Sequence, residues 1–162
     1  MNHATIPARS LGELLRERRL TLATAESCTG GAIAAALTAT PGASDYFPGG
    51  VVAYSAALKA ALLGVPQEVI ATDGVVSEAC ALAMARGALR ACGTTFALAT
   101  TGIAGPSGAE PDKPVGLVYI ALAWGEGALC RRFLYSGDRA TVIATATHDA
   151  LTLALAHLHG RV

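Results

Sequence analysis

The sequence predicts an α/β fold, a three-layer α/β/α sandwich with a mixed sheet. Segments of helical period alternate with short apolar runs of strand character. Two late apolar runs meet at Gly125-Glu126-Gly127, a hairpin signal that adds antiparallel strands to an otherwise parallel arrangement. Its 162 residues suit one domain, since domains usually run to about 100–200 residues. The chain is 52% hydrophobic and 15% charged, enough apolar surface for a covered core and too much for a disordered chain. Thirty-five alanines against 5% aromatic residues predict small side chains packed closely, helix on sheet.

The elements follow in order. Residues 1–9 read as a flexible tail, and residues 10–162 as a single domain. Leu11, Leu14, Leu15 and Arg18 fall at helical spacing over 11–20, with Ser10 as N-cap and Glu13 closing a capping box. Thr21 to Ala25 is a short β-type run. Gly30-Gly31 then leads into a helix over Ala32 to Leu37. Pro41 to Gly50 carries the Gly, Pro, Ser and Asp of a loop. Val51 to Tyr54 reads as a buried strand, and Ala56 to Leu63 as a helix stopped by Gly64 and Pro66. Ser77 caps a long helix over Glu78 to Ala91 that ends at Gly93. Thr95 to Thr100 is an apolar strand, followed by a Gly- and Pro-rich stretch over 102–116. Leu117 to Trp124 and Leu129 to Tyr135 form the hairpin. Asp138 to Leu158 closes the chain as a helix, with Gly160 as its stop.

Several function classes are disfavoured at once. Twelve basic residues balance twelve acidic ones, so no global field draws nucleic acid or anionic lipid. No apolar run of 18 or more residues argues for a membrane span, and the first ten residues lack a secretory pattern. Cys28, Cys80, Cys92 and Cys130 are scattered without a C-x-x-C pair, which reads as reduced thiols in a cytoplasmic protein. No spacing of His, Cys, Asp and Glu recommends a metal. Only Lys59 and Lys113 are lysine among the twelve basic residues, a choice that fits a neutralisable amine.

Three polar, glycine-rich segments follow strands, where α/β folds place their sites. The first is Ala25-Glu26-Ser27-Cys28-Thr29-Gly30-Gly31. A hydroxyl there is projected from the sheet edge beside the free N–H groups of a helix N-terminus, which suit an oxyanion or a phosphate. Ser27 or Thr29 serves equally as a plain N-cap. Glu26 is either a ligand carboxylate or a partner of the helix dipole. Cys28 is either a rival nucleophile or a small buried hydrophobe. The second segment runs from Gly49 to Lys59. Lys59 is either a solvated helix residue or, in a closed pocket, an amine whose lowered pKa makes it a base. In the third, Gly102, Gly105 and Gly108 let backbone amides approach an anion, though a surface loop explains them too.

Other layouts fit poorly. There is no G-x-S-x-G elbow, no Walker lysine and no G-x-G-x-x-G fingerprint. His148, His157 and His159 lie on the last helix, the latter two as dipole partners and His148 within possible reach of a pocket. A serine with a lysine is the better nucleophile–base pairing.

Taken together, five motifs resemble the CinA C-terminal domain family over nearly the whole chain. They are Thr24-Ala-Glu-Ser-Cys-Thr-Gly-Gly31; Gly49-Gly-Val-Val-Ala-Tyr-Ser55 with Lys59 and Leu62-Leu-Gly-Val65; Val76-Ser-Glu78; Thr101-Gly-Ile-Ala-Gly-Pro106 with Lys113-Pro-Val-Gly116; and Gly137-Asp-Arg139. Stand-alone members are nicotinamide-nucleotide amidohydrolases. The resemblance implies hydrolysis of nicotinamide mononucleotide to nicotinate mononucleotide and ammonia, within pyridine nucleotide salvage. It also implies homo-oligomers and neither metal nor cofactor.

By motif, Ser27 is then the nucleophile and Lys59 the base. Tyr54 and Thr101 position the lysine or relay its proton. Amides around Cys28, Thr29, Gly30 and Gly31 hold the oxyanion. The ribose phosphate lies against Gly102, Gly105 and Gly108, with Arg139 or Lys113 as counter-charge and Glu26 among the substrate contacts. Ala56, Ile143 and Gly108-Ala-Glu-Pro111 depart from common family residues. Alternatives are a catalytically silent ligand-binding or assembly homologue, and an amidohydrolase of a different nucleotide amide.

Overall fold

A computed structural model describes residues 5–160 and 162. Five strands, β1 (Leu22–Glu26), β2 (Gly49–Val52), β3 (Phe96–Gly102), β4 (Leu117–Trp124) and β5 (Gly127–Leu134), form one sheet in the order β2-β1-β3-β4-β5. β1 pairs in parallel with β2 and β3, whereas β4 and β5 run antiparallel. The sheet is therefore mixed, as the hairpin predicts. Among the described residues six α-helices flank it, α1 (Thr5–Arg18), α2 (Ala32–Thr38), α3 (Ala56–Leu63), α4 (Gln67–Thr72), α5 (Glu78–Cys92) and α6 (Arg139–Leu158), with a short 3-10 turn at Ala43–Asp45.

The alanine-rich composition resolves into two unlike faces. Side chains alternate along a strand, so each face samples every second residue. Ala23, Ala97, Ala123 and Ala128 lie in one cross-strand row, and Ala25, Ala99, Ala121 and Cys130 in the next. This face packs against α5 through Ala81, Met84, Ala85 and Ala88. Gly87 lets α5 meet α3, since a Cβ there would lie 2.0 Å from the Leu63 carbonyl oxygen. The opposite face presents Leu22, Leu98, Ile120 and Leu122 to α1, α2 and α6, where larger side chains fill the gap.

Several boundaries differ from the sequence reading. Helix α1 begins at Thr5, and Ala8 is fully buried with Leu11 and Leu15. Residues 5–9 are thus not a tail, while residues 1–4 lie outside the described residues. Ser10 sits inside α1 rather than capping it, and Glu13 pairs with Arg9 at 3.0 Å. β2 is shifted two residues earlier and is a half-exposed edge strand rather than a buried one. The short helix α4 lacked the periodic apolar signal that would have announced it. Ser77 does cap α5, accepting the Cys80 amide at 3.1 Å. Among the described residues no helix is long and apolar enough to cross a membrane.

Candidate active site

The parallel strands β2, β1 and β3 end side by side, and their carboxyl ends deliver Ala53, Ser27 and Thr100 to one rim of the sheet. Ser27 follows β1 directly, its amide held by the Thr100 carbonyl at 3.0 Å. Only 7% of Ser27 remains exposed.

Lys59 comes to the same point from α3. That helix is inside out: Ala57, Leu58, Ala61 and Leu62 face solvent, while its one charged residue is 1% exposed. Ser55 caps the helix by accepting the Leu58 amide at 3.2 Å, which fixes its start. Lys59 Nζ then lies 2.7 Å from Ser27 Oγ and 2.8 Å from the Ala53 carbonyl oxygen. No carboxylate stands within ion-pair distance of it among the described residues. Burial without a counter-ion pushes its pKa below the ordinary lysine value. The amine donates to Ser27 Oγ and to the Ala53 carbonyl; once deprotonated it has a lone pair to receive the Ser27 O–H.

Cys28 neighbours this pair but is a poor nucleophile. Burial raises its thiol to about 12, an effect that its own backbone amide, Lys59 and Arg139 only partly offset. Deprotonation is what makes cysteine reactive, so here it packs as a small hydrophobe.

Glu26 is fully buried and takes no ligand role. Its Oε2 accepts the Thr29 hydroxyl at 2.7 Å and the Gly31 and Ile33 amides at 3.0 Å each. Its Oε1 accepts the Ala34 amide at 2.8 Å. The carboxylate therefore occupies the anion position that the α2 N-terminus creates. Gly30 and Gly31 have φ of 61° and 101°, the left-handed turn that wraps the backbone around it. The Gly30 amide donates to the Ser27 carbonyl, so Gly30 and Gly31 offer no amide to an oxyanion. The Cys28 and Thr29 amides donate to no other residue among those described.

Tyr54 and Thr101 are not placed to act on Lys59. Tyr54 is 58% exposed, and its hydroxyl accepts from Arg139 Nη2 at 2.8 Å. Arg139 Nη1 donates to the Gly105 carbonyl at 3.0 Å, so the guanidinium bridges the second and third glycine-rich segments. It is presented by the start of α6, where Asp138 caps the helix by accepting the Thr141 amide and hydroxyl. Those bonds hold the Asp138 carboxyl below its usual pKa. Thr101 Oγ1 instead donates to the Val75 carbonyl at 2.5 Å, tying β3 to the turn before α5. Adjacent residues of a strand face opposite ways, and it is Thr100 whose hydroxyl meets Thr29, at 2.7 Å. Sequence reading missed Thr100; its one signal was lying beside a motif threonine.

The remaining sequence candidates divide. Lys113 Nζ donates to the Asp73 carbonyl at 2.9 Å and sits 3.8 Å from Glu110, which pins its loop and removes it as counter-charge. Gly102 allows close strand contact, since a Cβ there would lie 2.5 Å from the Leu117 carbonyl oxygen, and so serves the sheet. Gly105 and Gly108 remain in the loop between β3 and β4. His148 is half-buried on α6 and lines a hollow of about 410 Å³ with Thr141, Ala144 and Thr145. His157 lies tilted against Trp124 with ring centroids 4.1 Å apart. Among the described residues no group of three or more His, Cys, Asp or Glu could hold a metal.

Comparison with known proteins agrees on the fold and its lineage. A crystal structure of the competence/damage inducible protein CihA from Agrobacterium tumefaciens superposes with a TM-score of 0.94 at 38% identity, covering 98% of this chain and 97% of that one. A CinA superfamily protein from Klebsiella pneumoniae gives 0.94 at 34% identity, over 97% and 98% of the two chains. CinA-like proteins of Geobacter metallireducens and Myxococcus xanthus are each 50% identical, over 88% and 90% of this chain. The chain spans only 35% of the length of either, so it corresponds to one part of those longer proteins. The model of the CinA C-terminal domain matches residues 5–158, and with these relatives it establishes that the chain belongs to the CinA C-terminal domain family.

Proposed function

We propose that this chain hydrolyses the carboxamide of nicotinamide mononucleotide, giving nicotinate mononucleotide and ammonia. The observation that carries the reading is the buried Ser27–Lys59 pair, 2.7 Å apart, whose amine lacks a counter-ion. Amide hydrolysis needs a nucleophile, a base that returns its proton to the leaving amine, and donors for the oxyanion.

Ser27 Oγ attacks the carboxamide carbon while Lys59 Nζ takes the hydroxyl proton. The tetrahedral oxyanion is held by the Cys28 and Thr29 amides. The Lys59 ammonium then gives its proton to the departing nitrogen, releasing ammonia and leaving a Ser27 ester. Water attacks that ester as Lys59 accepts its proton; on collapse the Lys59 ammonium returns that proton to Ser27 Oγ, and the freed acid ionises to the carboxylate in solvent. Ala53 keeps the amine aimed throughout. Arg139 has five N–H donors and spends two on Gly105 and Tyr54, so the others remain for the substrate phosphate near Gly105 and Gly108. Copies of the chain associate, and the reaction belongs to the cytoplasm. The first point rests on the family resemblance and is checked by light scattering; the second rests on four scattered cysteines without a C-x-x-C pair.

Ammonia release from nicotinamide mononucleotide, wild type beside Ser27→Ala, tests the reading. Wild-type turnover that the variant lacks is the expected result. Binding without turnover in the wild type would instead identify a silent homologue. Turnover only of other nucleotide amides would move the substrate.

A further inference from the structure

The anion position at the start of α2 is filled by the chain's own carboxylate, and this has a consequence for the reaction proposed above. Glu26 lies under the Ser27–Gly31 turn and accepts four hydrogen bonds: three amides of α2 and its entry, and the Thr29 hydroxyl. Since a carboxylate only accepts, Thr29 donates to Glu26, and the Thr100 hydroxyl must donate to Thr29. Thr100 also receives the Ser27 amide on its carbonyl. Both ends of the Ser27–Thr29 turn are thus fastened to one residue of β3. Glu26, Thr29 and Thr100 are each at most 4% exposed, so their bonds are shielded from competing water.

We infer that Glu26, through the Thr29 and Thr100 hydroxyls, is the positioning group that holds the Cys28 and Thr29 amides toward the developing oxyanion. Two hydroxyl bonds hold the Thr29 side chain, and through it the backbone from which its amide extends. The Gly31, Ile33 and Ala34 amides are already engaged by Glu26 and the Gly30 amide by the Ser27 carbonyl, so the Cys28 and Thr29 amides carry the task. None of the three side chains hydrogen-bonds to Ser27 Oγ or Lys59 Nζ; they act through the backbone.

The inference rests on Ser27 being the nucleophile, and the experiment separates the two. Thr29→Val, Thr29→Ser and Thr100→Val are measured beside the wild type in two assays. One is steady-state deamidation of nicotinamide mononucleotide. The other is labelling of Ser27 by an alkyl fluorophosphonate, in which Ser27 Oγ bonds to phosphorus, Lys59 takes the proton and fluoride leaves. Losing correctly placed oxyanion donors costs rate rather than ground-state binding, so Thr29→Val should lower kcat by about 10–100-fold with KM within about twofold. Its labelling rate should fall in step. Thr29→Ser keeps the hydroxyl and should recover kcat to within about threefold of wild type, with Thr100→Val between the two.

A Thr29→Val enzyme with near wild-type kcat and labelling overturns the inference. So does a Thr29→Ser enzyme no better than Thr29→Val, because then bulk rather than the hydroxyl matters. Thermal denaturation of each variant identifies loss of folded protein. If Thr29→Val is largely unfolded at the assay temperature, Thr100→Val decides, and its wild-type kcat counts against the proposal. A wild type that labels at Ser27 but spares the nucleotide removes the substrate assignment alone, and labelling still decides the inference. A wild type that does neither ends the serine-nucleophile reading and this inference with it.

Discussion

Lys59 Nζ and Ser27 Oγ stand 2.7 Å apart although 32 positions separate them in the chain, and the amine's other partner is a neutral carbonyl. A lysine so placed has lost its water without gaining a counter-charge. Burial disfavours its charged form, so the amine gives up its proton more readily than a solvated lysine and can then take one from the hydroxyl beside it.

Removing that hydroxyl should stop the chemistry and spare the fold. Ser27→Ala is expected to lower ammonia release by about 10⁴-fold or more. Thermal denaturation should show a melting temperature close to wild type, since Lys59 keeps the Ala53 carbonyl. Residual turnover above a few per cent would exclude Ser27 as nucleophile.

The amine makes a pH prediction. Its folded pKa lies below its ordinary value of 10.5, and the active form is deprotonated. The rate kcat should therefore rise with pH through the lowered pKa and level off above it. Folding stability has the same sign. The unfolded chain binds the proton more tightly, so the cost of burying Lys59 is fully present below the folded pKa and disappears as pH rises toward 10.5. Lys59→Met should be inactive yet at least as stable as wild type at neutral pH. Lys59→Arg should be equally inactive, because a guanidinium does not deprotonate. A pH–rate profile and urea melts at neutral and alkaline pH check both parts.

Glu26 is expected to matter for stability. Glu26→Ala strands three amides and a hydroxyl that are buried or half-buried, which should cost at least about 2 kcal/mol in urea unfolding. A loss below about 0.5 kcal/mol would mean that water or another group replaces the carboxylate.

Tyr54 and Arg139 should separate in a kinetic test. The Tyr54 hydroxyl meets Arg139 and not Lys59, so Tyr54→Phe should change kcat by no more than about threefold. Arg139→Ala should chiefly raise KM for the phosphorylated substrate, by about 10-fold or more, and leave the pH profile in place. A large kcat loss in Tyr54→Phe would return the tyrosine to the proton path.

Gly87 links packing to the site. An added methyl would lie 2.0 Å from the Leu63 carbonyl, and backbone cannot yield as a flexible side chain does. Gly87→Ala should destabilise the fold by about 1–3 kcal/mol and push away α3, which carries Lys59. Activity should fall further than the loss of folded protein explains, as turnover set beside circular dichroism would show.

The architecture was legible because it rests on local patterns, whereas Lys59 read equally as a solvated helix residue, and its pairing with Ser27 came from the lack of histidine near the turns and from the family resemblance. Alternating periods gave the layers, Gly125-Glu126-Gly127 gave the hairpin, and strand-to-helix turns located Ser27. Glu26 was ambiguous because a carboxylate at a helix entrance looks the same whether it faces inward or outward. Thr100 and Thr101 could not be told apart either: which of two neighbours points into the turn depends on the register of β3 against β1. Helix α4 lacked a signal, and the start of α1 was hidden because Ala8 is too small to mark a buried face.

Sequence alone determined which chemistry is available: the layered fold, a hydroxyl at a strand end, and a lysine near the start of a helix where other cations are arginine. Tertiary structure alone decided which groups meet. It turned Lys59 inward, gave Glu26 to α2, Tyr54 to Arg139 and Thr101 to Val75, and left the Cys28 and Thr29 amides bonded to no other described residue. The physical reason is that composition and period fix an element's type and face. Contact between elements depends on register, on the closeness that alanine and glycine permit, and on burial, and these exist only once the layers have packed.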